Sequence, residues 1–226
     1  MNIINSFSSI HKIKYVPPVV VYNAIPIFGL KFGTTGGATV TQTVSAKTPA
    51  IRNGTYVFSC SSEFGGGGDS NFSPANPFSD PALNIISGGV IPYWASNGGY
   101  NANGTYPGTS NYITAGGTKY YGEWLKIQFP FSFVLSYYNI QNYTQGTNRQ
   151  VVEHRVFGSS DGINWGLLDT QLNRVLTIDL VRYDTPTVST AYKYYAIVIG
   201  KLQNGTDGYA TVTKFQLFST VPIGSL

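Results

Sequence analysis

The chain has 226 residues, of which 42% are apolar, 15% aromatic and 11% charged, with a net charge of +4. That length suffices for one sizeable domain with a real core, but a surface so poor in Lys and Glu argues against a helical protein. The positive excess is dispersed, and no Lys/Arg cluster is present to follow a phosphate backbone, so nucleic-acid binding is not expected.

Residues 1–50 read as an extended N-terminal arm and linker. Pro17, Pro18 and Pro26 interrupt "KYVPPVVVYNAIPIFGLKF" and favour an extended path over a helix. Alone, this stretch cannot bury Tyr15, Val19, Val21, Ile25, Ile27 and Phe28, so these residues are expected to lie on the domain itself or on a neighbour. Residues 33–50 read as a flexible linker or a weak strand. The opening lacks a basic segment followed by an unbroken apolar one, so no signal peptide is expected. No apolar run approaches the roughly 18 residues of a membrane-spanning helix. One cysteine, Cys60, allows no intrachain disulfide, and a reducing compartment is expected.

Residues 51–226 carry short strands between turn signals, the mark of an all-β domain. "GTYVFSCSS" (54–62) is strand-like, whereas 63–82 and most of 86–122 read as long Gly-, Asn- and Tyr-rich loops. In "EWLKIQF" (123–129), Leu125, Ile127 and Phe129 alternate with Trp124, Lys126 and Gln128. Further strands are expected at 133–143, 150–158, 175–181, 193–200 and 210–219. Ala196–Ile199 is apolar on both faces, as a central strand would be. Asp161-Gly162, between the strands around "FGSSDGINW", predicts a hairpin with a two-residue type I′ turn.

"YYGEWLKIQFPFSFVLSYYNI", "HRVFGSSDGINWGLL" and "YKYYAIVIGKLQNGTDGYATVTKFQLF" together resemble the discoidin-like domains, also called coagulation factor 5/8 type C or galactose-binding-like domains. "ANPFSD" followed by "YWAS" is similar to an early stretch of the same family, and the resemblance covers roughly 54–219. It implies an antiparallel jelly-roll β-sandwich with ligand loops at one end, a binding module for glycans or phospholipid headgroups, and no enzyme. It also implies that Trp124 and Trp165 are core residues. Asp80 stands where an early Asp of the family lies, but the Glu common in the last strand is Lys214 here. No cofactor is therefore expected, and calcium is disfavoured.

Catalytic chemistry has few candidates. Cys60 lies within a strand, where a small buried core residue is the simpler role. His11 and His154 are far apart in sequence, and His154 reads as a half-buried partner for backbone or solvent. Glu63 and Glu123 would have to meet in space to form a glycosidase pair. "GGGGD" (65–69) lacks the Lys-Ser/Thr of a phosphate loop. The aromatic loops are the better candidates: Trp94, Tyr100, Tyr106, Tyr143 and Tyr209 can stack on sugar rings while Glu63 and Arg149 fix hydroxyls. The opposing expectation is that many of these tyrosines only cover the ends of the sandwich.

Two functions follow. The first is a non-enzymatic structural component of a virus or phage particle (a minor capsid, decoration or fibre protein), made in the host cytoplasm and anchored to other virion proteins by the arm. The alternative is a glycan-binding module for cell-surface attachment.

Overall fold

The computed structural model describes residues 22–23, 39–44, 54–66, 70–78, 92–143 and 147–220. Its strands, in chain order, are β1 (Tyr22–Asn23), β2 (Thr39–Val44), β3 (Gly54–Cys60), β4 (Trp94–Ala95), β5 (Tyr112–Ala115), β6 (Thr118–Tyr121) and β7 (Glu123–Val134). There follow β8 (Tyr137–Gln141), β9 (Val151–Ser159), β10 (Trp165–Gln171), β11 (Val181–Asp184), β12 (Ala191–Leu202), β13 (Thr211–Val212) and β14 (Lys214–Ser219). Short 3-10 turns are the helical pieces among the described residues.

An eight-stranded sheet, in the order β2-β3-β7-β12-β9-β10-β5-β6, packs on a four-stranded sheet, β1-β14-β8-β11. Pairing is antiparallel throughout both sheets except for one parallel contact of β10 with β5. The fold is an all-β antiparallel jelly-roll sandwich. Alternation explains its core: Leu125, Ile127 and Phe129 of β7 are fully buried against Tyr138, Ile140, Phe215 and Leu217 of the smaller sheet. Each large side chain buried this way contributes about 1.5–3 kcal/mol. Phe78 fills the gap between the sheets, its ring 5.3 Å from that of Phe58 and 5.6 Å from that of Phe215. Ala196–Ile199 lie in β12 between β7 and β9 and are fully buried, as a central strand requires.

The outer face of the larger sheet carries a second apolar cluster, made of Ile113, Ala115, Phe157, Trp165, Ala196 and Val198. Trp165 belongs to this cluster, and a half-buried Trp124 packs against it. Both tryptophans therefore lie outside the core between the sheets, because their strands alternate and the inner positions fall to their neighbours.

Several expectations shift. Residues 175–180 are not strand, and β11 begins only at Val181. Arg174 turns inward, its backbone N–H bonding Val152 O at 3.0 Å, while Asn142 Nδ2 holds Thr177 O at 3.0 Å. The loop between is pinned by its backbone with its apolar side chains outward, Val175 being 85% exposed. The strand expected over 133–143 is divided: β7 runs on to Val134 and β8 starts at Tyr137. Residues 39–44 form a strand, β2, paired with β3 along its whole length. The arm residues Tyr15, Val19, Val21, Ile25, Ile27 and Phe28 lie outside the described residues, whereas Tyr22 and Asn23 pair with β14.

The β9–β10 hairpin forms, but its turn differs from type I′. Trp165 pairs with Ser159, leaving a five-residue loop, 160–164. Gly162 has positive φ (78°), but Asp161 does not. Asp161 instead acts as an internal cap, its Oδ1 accepting from the N–H groups of Ile163 and Asn164, both at 2.8 Å. These bonds, with those from the Asn164 and Ser159 side chains, hold its carboxyl below the usual carboxylate range.

His154 is fully buried, not half-exposed. Its Nε2 lies 2.9 Å from Tyr138 Oη, which also donates to Asp169 Oδ2 at 2.5 Å. Burial first, then the charges of Arg174 and Arg155, push its pKa well below the ordinary 6.5, so the imidazole is neutral.

Candidate functional site: aromatic loops at one end of the sandwich

Loops 61–66, 70–78, 92–111, 142–143, 147–150 and 203–210 hold most of the expected site residues. Their packing is rigid where backbones meet. Gly104 has φ +81°, and a Cβ there would sit 2.1 Å from Leu202 O. Leu202 N–H in turn donates to Gly104 O at 2.8 Å, so only glycine lets this loop dock on the end of β12.

Part of the end is an aromatic chain. Phe72 lies against Tyr93 (5.3 Å between centroids) and against Phe64 (5.1 Å), and Phe64 meets Tyr209 edge-on at 4.8 Å. Tyr93 lies 4.2 Å from Tyr143 in a tilted pair. The Arg149 guanidinium lies 5.2 Å from the Tyr209 ring and bonds Asp207 Oδ2 through Nε at 3.1 Å. The two charged side chains are 26% and 38% exposed, leaving polar atoms open to solvent. Tyr143 and Tyr209 are half-buried. Burial, with the Tyr143 hydroxyl, pushes the Tyr93 phenol up to about 12, so it stays neutral.

The second part is a buried carboxylate. Glu123 is 3% exposed and accepts from Ser62 Oγ at 2.7 Å, from Asn111 Nδ2 at 3.0 Å, and from Ser61 Oγ. Neutral donors take the place of water around it. Nearby, Tyr100 donates from Oη to Ile199 O at 2.9 Å, and its ring lies 5.5 Å from that of Tyr106.

The expected residues therefore separate. Tyr143, Arg149 and Tyr209 come together at the surface with Phe64, Phe72, Tyr93 and Asp207. Trp94 does not join them: it is fully buried, its indole N–H bonding Ser62 O at 3.0 Å, and offers no face to a sugar. Its strand pairs with β13, and Trp94 and Val212 belong to the same buried cluster. Tyr100 is likewise buried, and Glu63 is only 7% exposed, so neither is open to a ligand. Tyr106 is half-buried and packed on the core. As Glu63 and Glu123 are both buried, they do not flank an open cleft. Burial also pushes the Cys60 thiol up to about 12, which leaves no thiolate for attack.

Sequence reasoning missed Phe64, Phe72, Tyr93 and Asp207. One signal was legible: Asp207 stands two residues before Tyr209 in "TDGY" and places a carboxyl beside that loop aromatic. The aromatic contacts are between distant segments and left no such trace.

Among the described residues no three His, Cys, Asp or Glu side chains converge to hold a metal. Lys214 places an ammonium at the start of the last strand, and Asp80 lies outside the described residues. No helix among them is long and apolar enough to cross a membrane.

No family model matches the chain, and no curated protein matches it. Several solved structures are similar in shape at low identity. One is the family 32 CBM from C. perfringens NanJ in complex with galactose, with 13% identity, 73% of this chain and 93% of that chain covered, and a TM-score of 0.47. Another is a mutant of chitosan-binding module 1 from a Paenibacillus chitosanase/glucanase, with 14% identity, 72% and 92% covered, and a TM-score of 0.46. A third is the C-terminal domain of a chitobiase from Bacteroides fragilis, with 19% identity, 70% and 89% covered, and a TM-score of 0.45.

Proposed function

We propose that the protein is a non-catalytic glycan-binding module that uses the loop end of its sandwich. One observation carries this reading: half-buried Tyr143 and Tyr209 stand beside an Arg149–Asp207 pair that is fixed yet partly open to solvent. Rings of this kind cover the C–H faces of a sugar, the guanidinium donates to hydroxyl oxygens, and the carboxylate accepts from hydroxyl protons. The aromatic chain from Phe72 to Tyr209 holds these groups in place before a ligand arrives, which lowers the ordering cost of binding.

The test is a glycan array followed by calorimetry on the best sugar. Tyr209→Ala and Arg149→Ala are each expected to weaken binding about tenfold or more. Absence of any sugar-dependent binding, or unchanged affinity in both variants, would refute the assignment. The virus or phage component expected from the arm gains no support from the described residues or from the comparisons, so glycan binding is the reading preferred.

A further inference from the structure

A second binding surface lies away from the loop end, on the outer face of the eight-stranded sheet. Lys126 points outward from β7, between buried Leu125 and Ile127. Its Nζ sits 3.9 Å from the Trp124 ring centroid and 5.3 Å from that of Trp165. Its cross-strand partners are Ser59 and Ala196, so neither neighbouring strand offers it a carboxylate. The ion pairs among the described residues are Arg149–Asp207 and Arg182–Asp184, and neither involves Lys126. An ammonium beside two indoles, with no anion paired to it among the described residues, is an unusual element in a domain with so few charges. Cation–π contact stabilises it less than a well-placed anion would. Burial also draws its pKa below the ordinary 10.5, as expected for a cation short of solvent and of a counter-charge.

Around it lie Trp124, Trp165 and half-buried Tyr194, whose ring packs beside the turn at Gly162. We infer that this face binds an acidic saccharide, with Lys126 taking the carboxylate or sulfate oxyanion and Trp124 and Tyr194 bordering the sugar ring. One cation suits one anionic group. Arg155, a cation of β9 in the same sheet, is already seated over the Tyr120 ring at 5.5 Å, whereas following a nucleic-acid backbone takes a row of open charges. The surface uses none of the loop-end residues and does not rest on the function proposed for them.

The protein has three tryptophans, and Trp94 is fully buried, so Trp124 and Trp165 are the fluorescent reporters of this face. The full chain is titrated with oligogalacturonate, a sulfated galactan oligosaccharide, neutral galactotetraose and a single-stranded oligonucleotide. Tryptophan emission and heat are followed at low and high salt. At least one acidic sugar is expected to bind saturably and to weaken with salt, the two acidic probes separating carboxylate from sulfate. Lys126→Met is expected to lose about tenfold or more in affinity, while Lys126→Arg retains most of it. Neutral-sugar binding at the loop end is expected to be the same in Lys126→Met as in the unaltered protein, which separates the two sites. If Lys126→Met does not fold, the Lys126→Arg titration and the salt dependence of the unaltered protein decide. The inference is overturned if neither acidic sugar binds, if Lys126→Met binds like the unaltered chain, or if the oligonucleotide binds and the acidic sugars do not.

Discussion

Replacing Tyr138 by Phe removes one hydroxyl from the middle of the sandwich and leaves the ring. Ring contacts with Tyr183 (5.1 Å, stacked) and Phe215 (6.0 Å) are kept, so the loss is confined to hydrogen bonding. That hydroxyl joins His154 Nε2 at 2.9 Å to Asp169 Oδ2 at 2.5 Å. Asp169 keeps the Gln171 amide at 2.9 Å and is half-buried, so water recovers part of its loss. His154 has no such recourse: it is fully buried, and its Nδ1 already lacks a partner. An orphaned buried polar group costs about 1–3 kcal/mol, and the bond lost to Asp169 adds roughly 1 kcal/mol after rehydration. The expected destabilisation is thus about 2–4 kcal/mol, read from urea unfolding as a lower midpoint with an unchanged slope. For a chain of this size it corresponds to a fall in Tm of about 5–15 °C. A Tyr138→Phe protein within about 0.5 kcal/mol of the unaltered one would refute the reasoning and show that the network contributes no stability.

Other expectations follow from the same packing. His154 stays neutral when folded but titrates near 6.5 when unfolded, so below that pH the unfolded chain binds the extra proton. Stability present above pH 6.5 is therefore lost as pH falls, with a limiting slope of about 1.4 kcal/mol per pH unit. Unfolding midpoints between pH 5 and 8 check this, and the slope is expected to diminish in His154→Phe. Cys60 is expected to react with a thiol reagent only when the chain opens, so its rate in native buffer should rise sharply near the unfolding midpoint. Asp161→Ala is expected to lower Tm through loss of the loop 160–164 cap, while Asp161→Asn, which keeps an acceptor oxygen, stays closer to the unaltered protein. Gly104→Ala, with Leu202 O 2.1 Å from the new Cβ, is expected to detach the 96–111 loop and to raise amide exchange at Leu202.

Local pattern determined most of the strands and the alternating faces of β7. The alternation of Leu125, Ile127 and Phe129 with Trp124, Lys126 and Gln128, and the unbroken apolar run Ala196–Ile199, are properties of neighbouring residues, and both stand as read. The hairpin at 157–165 was equally legible, though its turn was not, because Asp161 uses its side chain and not a positive φ. Tertiary packing decided which aromatics reach solvent. Trp94 and Tyr100 lie in Gly- and Asn-rich stretches like those of Tyr143 and Tyr209, yet they are buried and bonded to the Ser62 and Ile199 carbonyls. The joining of Arg149 to Asp207, and of Lys126 to two indoles from different strands, also needed the fold. Strand periodicity follows from where consecutive Cβ atoms point, a local matter. Exposure and partnership depend on segments far apart in the chain, which no local pattern encodes.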